Sequence, residues 1–580
     1  MAKKFPNPFK FMDDFRGKDF KGEWPTVPEM FSITVKRFPN NKCFTDFEGE
    51  GGSKQTLTYT QANDNILKLA KWMVSKGIVH GDRVAVSGKN SPEWATVYLA
   101  ALFAGAIICP IDYALHNKEI ENLLNTAKPK LFFVDADKFP AFSEGKYPYK
   151  VFSLSPKFEK EYVYNLSTTK NNLSEIIPAV ENDTAAILFT SGTTGNPKGV
   201  MLSHKNLVSD TYIAQTRMEV LSTDVFYAIL PIHHAYTMTA VFLESISTGA
   251  EIVFGKSLAV AKLMKELKEG QITMLLGVPL LFNKLLSGIM KGIRAKGAFV
   301  YGIIKFLLAV SYLIKKLTGL NPGKSMFKAV LKQANIYSLR IAISGGGPLA
   351  PSVFKVYNEL GIDFVQGYGL TETAPIITLN PVSKFKIQSV GQYFYEYMDM
   401  KILNPDEKGV GEVAVKGPMV MQGYYQMPEE TEKVFTEDGY FKTGDLGWLD
   451  KDNYLMLSGR AKNMIVTAGG KNVYPEEIEN AFQLCTDINQ ITIQGYQPDK
   501  RSQAEEIEAL IYPSDDLFTR LKIKRDDKIG GEAIKKEIQA NVDKINRELQ
   551  SYQRISKVTI LEAPLEMTST QKVKRNYNKK

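Results

Sequence analysis

The chain has 580 residues, 44% hydrophobic and 23% charged, with 72 Lys and Arg against 63 Asp and Glu for a net charge of +9. This is ordinary globular composition, and it excludes collagen, wholesale disorder and a disulfide-dense scaffold. The mild positive excess suits anionic partners, whether nucleotides, coenzymes, an acidic membrane or nucleic acid, without choosing among them.

The start, Met-Ala-Lys-Lys-Phe-Pro, has no apolar segment behind its basic residues, so no secretory signal is expected. Cys43, Cys109 and Cys485 are far apart and form no CxxC pair, which argues against a cysteine zinc site and for a reducing compartment. Residues 1–50 read as a loop-rich lead-in, aromatic and basic. From about residue 57 an α/β rhythm begins. Val84 to Ser87 predicts a buried strand; Ser91 and Pro92 then open a helix as N-cap and first helical residue. That helix runs to about Phe103 and breaks at Gly105, and Ala106 to Cys109 forms the next strand, stopped by Pro110. Strands recur at 131–135, 185–189, 226–230, 272–276 and 340–344, which predicts parallel sheets covered on both faces.

Residues 297–314 are the most apolar stretch. They carry Lys305 and are flanked by Lys291, Arg294, Lys296, Lys315 and Lys316. The stretch is short of the ~20 apolar residues a spanning helix needs. Two readings stay open: a helix lying in a membrane interface, or a buried helix of the large domain. Gly319 to Ser325 has three residues between Gly319 and Gly323 where a Walker loop needs four, and is read as a helix-ending turn. Around 390–460, short strands with Gly and Asp turns predict a small β-rich subdomain. After Arg460 comes a new alternation: strand 463–467, helix 475–484, strands 490–494 and 506–512, helix 531–549, strand 556–561. The expected division is a large domain, 1–460, and a small α+β domain, 461–580.

The strongest chemical signal is Ile187 to His204. A strand runs into a loop where Thr190, Ser191, Thr193 and Thr194 supply hydroxyls, Gly192, Gly195 and Gly199 permit close backbone approach, and Lys198 adds a point charge. Together they make a phosphate cradle. In Gly367-Tyr368-Gly369-Leu370-Thr371-Glu372-Thr373 the aromatic between glycines suits stacking on a purine, and the carboxylate suits Mg²⁺. Between these two lies Ser344-Gly345-Gly346-Gly347-Pro348, and further along come Lys442-Thr443-Gly444-Asp445, Gly459-Arg460-Ala461-Lys462, the loop from Ala468 to Glu479, and a basic tail from Met567 to Arg575. His233 and His234 form a doublet among only five histidines, with no acidic cluster at zinc-ligand spacing beside them in sequence.

From the loop at 190–199 onward the motifs, in this order, resemble the adenylate-forming superfamily of acyl- and aryl-CoA synthetases, beetle luciferases and peptide-synthetase adenylation domains. The likeness runs from about residue 30 to Lys574. It implies an α/β fold: a large N-terminal domain of parallel sheets with a small β-rich subdomain, then a mobile α+β domain. It also implies ATP and Mg²⁺ as cofactors and CoA as cosubstrate. By the same resemblance Tyr368 stacks on adenine, Thr371 contacts phosphate, Glu372 holds Mg²⁺, Gly345 to Gly347 lie beside adenine and the acyl pocket, and Asp445 and Arg460 hold ribose. Lys462 is then the hinge, Gly470 belongs to a loop that swings toward the pantetheine tunnel, His234 lines the acyl site, and Lys572 is the catalytic lysine. The tail and the apolar insertion near 285–335 are most similar to long-chain fatty acyl-CoA synthetases. An acyl-carrier-protein ligase, an enzyme that stops at the acyl-adenylate, and a medium-chain or aryl acid ligase remain alternatives. The expected site of action is the cytoplasm or the inner face of a membrane, with no nucleic-acid partner.

Overall fold

The computed structural model describes residues 8–49, 52–145, 147–169, 173, 176–190, 197–257, 259–467, 471–498, 505–525, 531–567 and 573. Strands with uninterrupted apolar runs need cover on both faces, and they obtain it in two sheets. In the first, Thr184–Thr190, Ile107–Pro110, Arg83–Ser87, Leu131–Val134 and Lys150–Ser153 lie side by side in parallel. Lys198–Ser203 and Gly423–Tyr424 extend that sheet antiparallel, bringing it to seven strands. All of Leu131 to Val134 is buried, as is all of Val84 to Ser87. The helix Pro92–Phe103 starts where expected: the Ser91 hydroxyl accepts from the Trp94 amide at 3.2 Å. Such a cap contributes about 1 kcal/mol.

The second sheet has 13 strands. Its parallel half runs Lys42–Asp46, Glu251–Phe254, Val225–Ala228, Met274–Gly277, Ile341–Ser344, Asp363–Gly369. The β-rich stretch is present as antiparallel strands, and these continue the same ladder. Ile376–Leu379 pairs with the end of Asp363–Gly369, and Gly391–Tyr393 follows. Tyr454–Arg460, Phe441–Leu449, Gly411–Lys416 and Asp399–Leu403 run to one edge, and Gln55–Thr58, antiparallel to Lys42–Asp46, forms the other.

From Ile465 onward the chain closes round its own core, in which Ile478, Ile493, Ile511, Ile538 and Val542 are fully buried. A three-stranded sheet of Ile488–Tyr496, Glu506–Pro513 and Lys557–Ile560 packs there with the helix Gly531–Glu548.

The apolar stretch at 297–314 forms the helix Ala298–Thr318, but it is not a core helix. Of its 21 residues only Leu308 and Ser311 are buried. The reading as a buried helix therefore fails. Gly319 ends it in the left-handed conformation at φ +73°, as expected, but the segment read as a turn up to Ser325 already enters the next short helix, Gly323–Met326.

Candidate active site

Parallel α/β sheets present their ligand sites at the carboxyl ends of strands. Here Ile107–Pro110, Thr184–Thr190, Ile341–Ser344 and Asp363–Gly369 all deliver their ends to one cleft of about 1590 Å³. Thr190, Lys198, His234, Gly345, Gly346, Tyr368, Gly369, Thr371, Glu372 and Arg460 line it together. Gly347, Asp445 and Lys462 do not line the cleft. Ser191, Gly192, Thr193, Thr194, Gly195, Gly470 and Lys572 lie outside the described residues. Met567, five positions before Lys572, lines the cleft and pairs with Val573.

Thr190 and Lys198 are register partners at the cleft end of two antiparallel strands, Thr184–Thr190 and Lys198–Ser203. The Lys198 Nζ sits 4.7 Å from the Tyr424 ring centre and pairs with Glu430 Oε2 at 2.7 Å. Hydrogen bonds from Lys198 and Lys433 hold the Glu430 carboxylate down at about 2. The Tyr424 hydroxyl donates to Glu372 Oε1 at 3.0 Å, so one aromatic ring joins the lysine to the carboxylate. Sequence reading missed both partners: Glu430 lies 232 residues beyond Lys198, in a helix start that looks ordinary.

On the opposite wall the strand register sets Asp445 beside Arg460. Asp445 Oδ1 receives the Arg460 Nε at 2.9 Å, and its Oδ2 receives the Tyr368 hydroxyl at 2.6 Å. Burial and the Asp445 charge push the Tyr368 hydroxyl well above its ordinary range, so it stays a donor. The buried carboxylate thus orients the two side chains that do reach the cleft.

In the loop after Ile341–Ser344, two glycines are demanded by contact or conformation. A Cβ on Gly345 would stand 2.9 Å from the Tyr236 ring, and Gly346 is left-handed at φ +76°.

The histidine doublet is held from below by Asn90. Its Nδ2 donates to the carbonyls of Ala228 and Leu230 at 2.7 and 2.9 Å, and its Oδ1 accepts from the Ile232 amide at 2.9 Å. This fully satisfied buried amide fixes the loop that carries His233 and His234, whose rings lie 4.1 Å apart. Sequence reading found no acidic group beside the doublet; the fold supplies one, with Asp112 Oδ2 3.5 Å from His233 Nε2. Asp112, His233 and His234 have the donor types and spacing of a metal-binding group.

A second cavity, of about 360 Å³ and mostly apolar, meets the cleft at Leu230 and Val278, which line both. It lies along the helix Pro279–Arg294, bounded by Leu263, Leu281, Leu285 and Ile289. Gly288 and Gly292 leave it open: a Cβ on either would meet nothing within 4 Å.

Gln483 of the C-terminal unit is hydrogen-bonded beside the glycine loop. Gln483 donates to the Pro348 carbonyl and accepts from the Ala350 amide, each at 2.7 Å.

Residues 31–425 match the family model described as AMP-binding enzyme. The chain is 29% identical to a long-chain-fatty-acid–CoA ligase named heimdall of Drosophila melanogaster, over 79% of this chain and 72% of that protein. It is 27% identical to the chloroplastic long-chain-fatty-acid–[acyl-carrier-protein] ligase AEE15 of Arabidopsis thaliana, over 96% of this chain and 85% of that one. Its fold is similar to ATP-bound MatB from Rhodopseudomonas palustris, with a TM-score of 0.72 at 24% identity, covering 95% and 98% of the two chains. A family match over more than half the chain, with its motif residues gathered in one cleft, places this protein in the AMP-binding enzyme family.

Proposed function

We propose that this chain is an ATP-dependent acid–CoA ligase acting on long-chain fatty acids. The observation that carries the acyl assignment is the apolar cavity opening from the nucleotide cleft at Leu230 and Val278. Its volume of about 360 Å³ falls in the range of small-molecule sites.

The chemistry has two steps. A carboxylate oxygen attacks the α-phosphorus of ATP; the new O–P bond forms as the bond to the β-phosphate breaks, and pyrophosphate leaves. The CoA sulfur, losing its proton, then attacks the acyl carbon; the C–S bond forms as the C–O bond to AMP breaks. The first step gathers negative charge at one point, so positioning and charge stabilisation do most of the work. Lys198 and the hydroxyl loop from Thr190 face the phosphates, and Thr371 adds a donor. Glu372 fits Mg²⁺ by its hard carboxylate oxygens, oriented by Tyr424 on the same wall as Lys198. When bound, the ion neutralises phosphate charge. Tyr368 and Arg460, locked by Asp445, take adenine and ribose. Lys572 bridges the substrate carboxylate and α-phosphate in the first step. The unit after Lys462 then rotates, withdrawing Lys572 and bringing in the Gly470 loop, a motion that must release the Gln483 clamp.

Pyrophosphate release with CoA, measured across acids from acetate to stearate, tests the reading. Failure with every acid overturns it, and turnover only with carrier protein would move the acceptor assignment to the alternative. Gly288→Leu and Gly292→Leu test the cavity. Both sites are helical and open, so folding gains roughly 0.8 kcal/mol of helix propensity, while the added side chain occupies the acyl path. Turnover of stearate is expected to fall at least about tenfold relative to octanoate, since each lost methylene contact is worth about 1–3 kcal/mol. An unchanged chain-length profile would place the chain elsewhere.

The resting pair of Lys198 with Glu430 must open before Lys198 reaches phosphate. The pair is half-buried and reached by solvent, which screens it, so opening it costs little. Glu430→Gln is therefore expected to lower KM for ATP, by no more than about fivefold. A raised KM would show that Glu430 helps to hold the nucleotide instead.

A further inference from the structure

The helix Ala298–Thr318 presents a continuous apolar stripe to the exterior. Phe299, Ile303, Phe306, Leu313 and Leu317 recur at helical spacing and are 81, 44, 69, 55 and 74% exposed. On the inner face, Leu308 and Ser311 are buried, and the Lys315 Nζ is bonded to Asp363 and Asn358, both at 2.8 Å. These contacts hold the C-terminal half of the helix against the body of the protein with the apolar stripe outward, the placement of a helix that lies in an interface.

Charge is segregated to the same region. Residues 270–358 hold twelve of the 72 basic residues and none of the 63 acidic ones, so the remaining chain, with 60 basic and 63 acidic residues, is net −3. The whole positive excess of the protein therefore resides in this segment. Lys315, Arg340 and Lys355 pair with Asp363, Asp224 and Glu359. Lys284, Lys291, Arg294, Lys296, Lys305 and Lys316 are exposed. Lys305 and Lys316 fall ~100–120° round the helix from the centre of the apolar stripe, where long side chains can lie along an apolar surface and reach headgroups.

An exposed apolar face beside basic residues, with no acidic residue in the segment, is the pattern that binds anionic bilayers, combining burial of apolar area with attraction to headgroup charge. A second copy of this chain would bring two equally basic faces together. We propose that this face docks the protein on an anionic phospholipid surface, lying in the interface. Resting on the acyl-cavity reading, docking also has a purpose: the helix Pro279–Arg294 lines that cavity, whose rim includes Lys284 and Lys296 on the basic side. A fatty acid could then pass from bilayer to cavity without crossing water.

The test is co-sedimentation with phosphatidylcholine vesicles, with and without phosphatidylglycerol. The wild type is expected to bind at least about tenfold more tightly to the anionic vesicles, and to lose that preference in high salt. The triple variant Phe299→Ser, Phe306→Ser, Leu313→Ser should lose at least about tenfold in partitioning. The double variant Lys305→Glu, Lys316→Glu should lose as much on anionic vesicles only. Circular dichroism of each variant reports folding. The proposal falls if the wild type does not bind anionic vesicles, or if the folded triple variant binds as well as wild type. It falls equally if the wild type is a dimer in solution that the triple variant dissociates, for then a second copy covers the face. Vesicle binding without pyrophosphate release from any acid would leave docking standing and remove the ligase reading.

Discussion

In the Lys572→Ala variant, pyrophosphate release is expected to fall about 10²- to 10³-fold, the loss typical of removing one charge-stabilising group from a transition state. Thioester formation from supplied acyl-adenylate should stay close to wild type. The two half-reactions differ in what they demand. The first brings a carboxylate onto a triphosphate, so a cation between them acts where charge accumulates. The second expels AMP from an activated acyl group and needs access for a thiol. Met567 lines the cleft and pairs with Val573, the described residues on either side of Lys572 in the chain. Lys574→Ala provides the comparison, because the resemblance of the tail Met567–Arg575 selects Lys572 and Lys574 is the neighbouring lysine. Equal loss of both half-reactions would end the two-conformation scheme. Loss with Lys574→Ala alone would show that the register was misassigned.

What the sequence reveals most directly is what it encodes locally. Strands such as Leu131–Val134 are continuous apolar runs, and helix starts such as Ser91-Pro92 carry their own caps, so their positions agree with expectation to within a residue or two. Most elements after Arg460 are legible too, though the helix Pro475–Ala481 ends three residues before the expected 484 and the strand expected at 463–467 is only Ile465–Val466. The short strand Glu251–Phe254 and the helix Asp515–Leu521 escaped, each being too brief to show a period. Strand neighbours are another matter. Nothing near Gln392 says that it pairs with Leu379 and so extends the great sheet. Motif residues were found because glycines, hydroxyls and charges cluster in sequence. Their supports were not, because Asn90, Asp112, Tyr424 and Glu430 act across more than fifty residues and look unremarkable where they stand. The helix Ala298–Thr318 shows the limit most clearly: apolar composition is shared by core and interface helices, and only the fold shows which face is covered.

Gly369→Ala is the backbone counterpart of the first prediction. A Cβ at this position would lie 1.6 Å from the Pro375 carbonyl oxygen and 2.7 Å from its carbon. Neither atom can turn aside, since both are backbone, and that oxygen already accepts from the Leu370 amide at 3.0 Å. The strand must therefore shift by an ångström or more, breaking this bond at a point where the ladder is already irregular between Tyr368 and Gly369. A forced backbone move of this kind costs about 3 kcal/mol or more. The residues displaced are those on either side: Tyr368, bonded to Asp445, and Thr371 and Glu372, on the cleft wall. A misplacement of about 1 Å can reduce turnover about 10²-fold. Gly369→Ala is accordingly expected to unfold several degrees earlier than wild type and to lose at least about 10²-fold in pyrophosphate release. Gly302→Ala is the control. Gly302 is helical and open, with nothing within 4 Å of the added carbon, so this variant should unfold no earlier than wild type and keep its turnover. A Gly369→Ala protein with normal stability and turnover would mean that the turn between Tyr368 and Thr371 does not fix the geometry of the nucleotide site.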